Sequence, residues 1–498
     1  MHIKKLLAPV VIPLTLTAMF GLAACGDDSS SGTDTTIDNP ADPSNPSDPG
    51  AQTDPGAQTD PGTDPGAQTD PGAQTDPGTN PGTNPGTNPG GAWASSVALG
   101  TAANVAVPAA VYQAWKGYHF VTLEDEMSYY PDLSEDLDAI FPATFQPAGR
   151  VIWSAQNSGY YAKQCKNAAS TDNAMKARGC TVSEGTGYGM LLTYFNEDTD
   201  AYNRLWNYSR AFREYNSTSV VKMYLTPWIT YSFHYKEIDN SSATDADLDI
   251  ATSLVLMYYK TLNEAYKADA LNIIGAIWDH EVNKTSFLLY SGDTDTWVNA
   301  DPTYNLSYFS PVALRVFAMV DPAHDWGKVL DAMYTYMQQV QDAGTGVFPD
   351  WSNSAGVAVN PNNGSADKTF WTFNKESVRI PWRLAWDYYW FQDPRDLAIL
   401  TKLNGFISTK ASGDPSSAAL GTAYSWDPAK PDIASSVVPP QWLAAWCATG
   451  LGTNADWLNT CTNLVNEKRP TNSGSSYFAD ILLGLYTALL NGKFVRPF

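Results

Sequence analysis

Histidine is scarce in this chain and scattered through it. The five copies, His2, His119, His234, His280 and His324, lie too far apart to read as a metal cluster or as the base of a hydrolytic triad. Cysteine is as rare. Apart from Cys25 there are four, in two close pairs: Cys165 with Cys180, and Cys447 with Cys461. Neither pair has a neighbouring His at zinc-ligand spacing, so no metal and no cofactor is expected. In an exported chain such pairs read as two short-loop disulfides, although three connectivities are open. Basic residues are also short: 30 Lys and Arg stand against 52 Asp and Glu, a net charge of −22. Eleven of the acids lie in residues 26–92, and two Lys lie near the N-terminus, which leaves −13 for residues 93–498. That excess argues against nucleic acid as a partner and against anionic lipid surfaces. It suits a neutral polymer such as a polysaccharide. Long apolar runs are missing too; nothing after the first 25 residues is apolar enough to cross a membrane.

What is present begins with an export signal over residues 1–24. Lys4 and Lys5 precede a mostly apolar stretch from Leu6 to Gly21, which carries Pro9 and Pro13 and is short for a membrane span. Leu22-Ala23-Ala24-Cys25 then resembles the lipobox of bacterial lipoproteins, which implies acylation at Cys25 and a protein anchored to a membrane rather than spanning it. Gly26, directly after the cysteine, favours the outer membrane or cell surface. Residues 25–92 form a low-complexity spacer. Units such as Thr53-Asp54-Pro55-Gly56-Ala57-Gln58 recur and decay into Thr-Asn-Pro-Gly repeats. Almost nothing there can be buried, so no core offsets the ordering entropy.

Residues 93–498 show no Pro/Gly/Ser-rich break and read as one large domain, expected to act as a monomer. Leu248, Ala251, Val255 and Tyr258 follow a helical rhythm. Similar runs occur at 111–120, 190–212, 265–277, 311–320, 326–340, 380–390, 442–447, 455–465 and 477–490, whereas β patterns are few and short. Many helices joined by long loops rich in Asp, Asn, Gly and aromatics predict an all-α helical toroid whose loops line a cleft.

Two segments carry candidate chemistry. Ser183-Glu184-Gly185-Thr186-Gly187-Tyr188-Gly189-Met190 sets one carboxylate among three glycines, just ahead of an apolar run. A buried acid is expensive unless used, and glycines let backbone or substrate come close. The alternative is a Glu placed in a first helical turn by the dipole. Further on, Asp245, Asp247 and Asp249 open a helix for which Thr244 is the expected N-cap. The dipole accounts for one or two of these acids; a third asks for a ligand or a partner.

Ala243-Thr244-Asp245-Ala246-Asp247 through Ala251 resembles the signature of glycoside hydrolase family 8, and the Glu184 run resembles that family's catalytic-acid segment. Further matching stretches are Ala114-Trp115-Lys116, Tyr304-Asn305-Leu306-Ser307-Tyr308-Phe309-Ser310-Pro311, Pro349-Asp350-Trp351, Arg379-Ile380-Pro381-Trp382-Arg383 and Tyr477-Phe478-Ala479-Asp480. They occur in the family's order across nearly all of residues 93–498. The resemblance implies an (α/α)6 barrel that hydrolyses β-1,4-linked glycans with inversion. Glu184 then matches the proton donor, and Asp245 the residue that holds the sugar at the cleavage site. Tyr308 and Arg379 match residues near the hydrolytic water and that sugar. Trp228 and Trp297 are expected to be stacking platforms.

The water-activating position departs from the pattern. Where the family usually has Asp, this chain has Glu376, preceded by Lys375, which would favour its ionised form. The extra methylene moves a reacting group on a scale that can cost roughly a hundredfold unless the backbone compensates. Asp350 is a lesser candidate, read also as a turn cap. The expected activity is that of an endo-β-1,4-glycanase, foremost an endoglucanase. Xylanase and chitosanase share the family, and a glycan-binding lipoprotein with an impaired site is the competing class.

Overall fold

The helical rhythm folds as read. The computed structural model describes residues 106–129, 141–153, 179–219, 224–230, 232–233, 237–361, 369–417, 420–433, 438–468 and 476–498. The leader, Cys25, the spacer and Cys165 lie outside the described residues. In chain order the helices are α1 (Ala106–His119), α2 (Leu123–Tyr129), α3 (Ser183–Phe195), α4 (Thr199–Ser219), α5 (Thr244–Thr261), α6 (Glu264–Glu281), α7 (Pro311–Val320), α8 (Trp326–Ala343), α9 (Ile380–Phe391), α10 (Pro394–Lys410), α11 (Pro440–Ala448), α12 (Ala455–Lys468) and α13 (Tyr477–Leu490). Successive helices from α3 to α12 pair as hairpins, and a sixth pair joins α13 to α1. The first member of each hairpin, together with α13, makes an inner ring. In it α3 touches α5, α5 touches α7, and so on through α9 and α11 to α13, which returns to α3. This is the (α/α)6 barrel expected from the sequence.

Composition separates the two layers. Every residue of α3 is buried, as is every residue of α13 except Ala479. A helix that is apolar all round belongs inside. The outer α8 shows the amphipathic stripe instead: Trp326, Val329, Leu330, Met333, Met337 and Val340 face in, while Lys328, Asp331, Thr335 and Gln339 face out.

The glycines of the Glu184 run allow α3 to be packed on several sides at once. A Cβ at Gly187 would lie 3.0 Å from the Asp249 Cβ and 3.1 Å from the Ala246 carbonyl on α5. One at Gly189 would lie 2.9 Å from Val151. The run read as 190–212 is broken between α3 and α4, where Glu197 adopts φ 62°. Thr244 is not the N-cap of α5. It is the first helical residue, and Ala243 takes the cap position without a side-chain bond.

Short antiparallel strands set the helix starts. β1 (Phe120–Thr122) pairs with β2 (Gly149–Val151), and β3 (Thr181–Val182), β4 (Pro227–Thr230) and β5 (Glu237–Ser242) form one sheet with β4 in the middle. β3 runs straight into α3, and β5 ends two residues before α5, so the sheet fixes those two N-termini side by side. Strands at Thr303–Tyr304 and Ser352–Asn353 pair likewise, tying the start of α7 to the loop that carries Trp351. Cys447 and Cys461 form the expected disulfide across the α11–α12 hairpin. Cys180 is also disulfide-bonded.

Candidate active site

The residues singled out in the sequence converge at the N-terminal end of the inner ring. Glu184 lies in the first turn of α3 and Asp245 in the first turn of α5. Glu376 precedes, and Arg379 ends, the short 3-10 turn Ser377–Arg379 that leads into α9. All four are buried. Arg379 is the hub. Its Nη1 donates to Glu184 Oε2 at 2.5 Å and to Asp245 Oδ2 at 3.1 Å, while its Nη2 donates to Glu376 Oε2. The two glutamates thus grip opposite arms of one planar guanidinium, which spaces them apart. The Tyr308 ring lies under the same group, 5.3 Å from the guanidinium carbon.

Charge counting explains the proton affinities. Asp249 lies one turn beyond Asp245 on α5 and takes both arms of Arg383, at 2.6 and 2.8 Å. Four buried carboxyls therefore face two guanidiniums, and if all were ionised two negative charges would be uncompensated. Burial pushes the Asp245 carboxyl up to about 8, with Glu184 adding to the rise and Arg379 opposing it. Burial likewise raises Glu184, against the pull of Arg379 and of a hydrogen bond from Tyr477. Desolvation outweighs the nearby cations at both groups, so the proton affinity of both is raised.

The third acid of the α5 run points elsewhere. Asp247 accepts from the Thr226 backbone N–H at 2.9 Å, on the far side of the helix from Asp245. Asp350 proves to be the turn cap. Its Oδ1 accepts from the backbone N–H groups of Asn374, Glu376 and Ser377 at 3.0 to 3.1 Å, which fixes the backbone beneath Glu376. Trp297 is 6% exposed and stacks on Trp351 with ring centroids 5.4 Å apart; Trp351 meets Tyr308 edge-on. That aromatic chain ends at Arg379. Trp228 sits half-buried on β4, between the strands that launch Glu184 and Asp245. Among the described residues no group of three or more His, Cys, Asp or Glu is placed to hold a metal ion.

Sequence reasoning assigned no role to two residues here. Asn305 caps its own turn, its Oδ1 accepting from the Ser307 N–H, while its Nδ2 donates to Glu376 at 2.6 Å. Tyr477 opens α13, and its hydroxyl donates to Glu184 Oε1 at 2.8 Å. Both stand in stretches that the family resemblance marked, but an Asn before a turn and a Tyr at a helix start have ordinary local explanations.

The model of glycosyl hydrolases family 8 matches residues 153–419. Endoglucanase C of Ruminiclostridium cellulolyticum is 32% identical over 216 residues, which is 42% of this chain and 43% of that protein. The chain therefore spans less than half of that relative's length. The Beta-glucanase of Niallia circulans is 28% identical over 333 residues, covering 64% of this chain and 78% of that one. In fold, the chain resembles the Beta-1,3-1,4-glucanase from Paenibacillus sp. X4 (TM-score 0.53, 24% identity, 74% of this chain and 93% of that one). It also resembles a reducing-end-xylose releasing exo-oligoxylanase (TM-score 0.54, 16% identity, 74% and 94%). A ring of six helix hairpins, buried acids at its N-terminal end and a family match over more than half of the sequence lead to one assignment: the chain belongs to glycosyl hydrolases family 8.

Proposed function

We propose that the protein is an endo-β-1,4-glucanase that cleaves with inversion, using Glu184 as general acid and Glu376 as general base. The observation that carries this reading is the shared guanidinium. Arg379 holds on one arm a carboxyl whose proton affinity burial raises, and on the other a second carboxyl. An inverting glycosidase needs one proton donor at the leaving oxygen and one carboxylate to activate water on the opposite face. Asp245, on the same guanidinium arm as Glu184, holds the sugar at the cleavage site in this scheme. Tyr308 sits near the hydrolytic water, and Trp228 and Trp297 bound the cleft. The glucan preference follows the relatives, which are named as endoglucanases and β-glucanase.

Incubation with β-glucans, xylan and chitosan, following reducing ends, tests the substrate; release from xylan or chitosan alone would move the assignment within the family. Proton NMR of the first product tests stereochemistry, and a β-anomer would end the inverting scheme. We further propose export and lipid anchoring through Cys25. The support is the Leu22-Ala23-Ala24-Cys25 run and the polar spacer behind it. Cys25→Ser should then release the protein from the membrane fraction.

A further inference from the structure

Tyr477 is tied to Glu184 by more than one hydrogen bond. It is the first residue of α13, and the side chain of Asp480 lies one turn on, on the same face. The Asp480 Oδ2 meets His119 Nε2 at 2.7 Å, with both groups buried, and His119 is the last residue of α1. The His119 ring stands edge-on to Tyr477, centroids 6.4 Å apart. From the opposite side, a Cβ on Gly185 would lie 3.0 Å from the Tyr477 Cε2 and hydroxyl. The glycine directly after the acid therefore leaves room for this ring. α1, α3 and α13 together aim one hydroxyl at Glu184 Oε1.

We propose that Tyr477, braced by the His119–Asp480 pair and by the missing side chain at Gly185, is a positioning residue that sets the proton affinity of Glu184. The proposal rests on the reading of Glu184 as the acid. A buried carboxyl in an acid-rich site binds its proton too tightly to be a good donor. A hydroxyl donating to the ionised form moves it back toward release, and in a buried site such a bond is strong. The other groups facing Glu184 are fixed in charge or act the opposite way. From the α9 side come Arg379, which aids ionisation, and Glu376, which opposes it. From α5 come Asp245 on the same guanidinium arm and Asp249, which opposes ionisation. Tyr188 shares Arg379 Nη1 as an acceptor, and Tyr308 lies beneath that guanidinium.

The test is the pH profile of kcat/KM for Tyr477→Phe, whose alkaline limb reports the acid of the free enzyme. Losing the donor should move that limb up by about 0.5–1 pH unit, with activity retained on the plateau. Gly185→Ala keeps the hydroxyl but displaces the ring, and should move the limb in the same direction. An unmoved limb, or one moved down, in both folded variants overturns the proposal. Glu184→Gln separates this from the underlying reading. If that variant keeps the parent's rate and limb, Glu184 is not the acid, whatever Tyr477 does.

Discussion

Replacing Glu376 by Asp restores the residue expected from the family resemblance and should nonetheless impair the proposed hydrolysis. The Glu376 carboxylate is held by Asn305 Nδ2 at 2.6 Å and by Arg379. Shortening the side chain by one bond withdraws the carboxylate by about 1.5 Å, beyond hydrogen-bond reach of Asn305. The backbone cannot follow, because Asp350 ties down the N–H groups of Asn374, Glu376 and Ser377. A displacement near 1 Å at a reacting group costs about a hundredfold, or about 2.7 kcal/mol in the barrier. Glu376→Gln keeps the size but removes the proposed base, and should lose about 10²–10⁴-fold. Initial rates of reducing-end release from a soluble β-glucan give kcat/KM for parent, Asp and Gln forms. Calorimetry with a cello-oligosaccharide checks that binding persists. A Glu376→Asp enzyme as fast as its parent would show that the longer arm is not built into this backbone. An active Glu376→Gln enzyme would place the base elsewhere.

Arg383→Leu leaves Asp249 buried without its guanidinium and should cost about 3–5 kcal/mol in urea unfolding; a loss below 1 kcal/mol would mean that Asp249 is neutralised another way. Cys447→Ser opens a disulfide with a sequence separation of 14, and should lower stability by about 3 kcal/mol on the chain-entropy account, read as a lower Tm. Burial raises Asp247 from 3.8 to about 7, with its hydrogen bonds to Thr226 opposing the rise. Between roughly pH 4 and 7 the unfolded chain then releases a proton that the folded protein keeps, so this group's stabilising contribution falls as pH rises, by about 1.4 kcal/mol per unit. Asp247→Asn should be less pH-sensitive than its parent over that window in denaturant midpoints; an unchanged slope refutes the assignment.

The layered architecture was legible because each class of helix leaves its own mark. α8 announces itself by a stripe, and α13 by a run that is apolar but for Asp480 and Thr487. α10 was overlooked although Ile399, Leu400, Leu403 and Ile407 are spaced for one helical face, because Thr401, Lys402, Asn404 and Gly405 interrupt them and Phe406 falls off that face. The break between α3 and α4 depends on one left-handed residue, Glu197, flanked by Asn196 and Asp198 but marked by neither Gly nor Pro. The site was legible only segment by segment. Physical reasoning could say that Glu184 was costly and that three acids opening α5 were one too many. That Glu184, Asp245 and Glu376 meet on Arg379 is a product of ring closure, which no local pattern encodes. The family resemblance supplied that convergence, yet it passed over Asn305 and Tyr477, whose second contacts exist only once the ring is closed.

Closure has a consequence in time. The ring is sealed by α13 returning to α3 and by α1 packing on α13, so its last contact waits for the last helix. Tyr477 follows Glu184 by 293 residues. At about 5–20 residues per second of synthesis, Glu184 is made roughly 15–60 seconds before its partner exists. During that interval α3, buried on every side in the finished fold, lacks one of its covers. Contacts of such long sequence separation also form slowly. The chain therefore gains the Tyr477–Glu184 contact and its closed core in one late step, and a molecule interrupted before Tyr477 is incomplete in both.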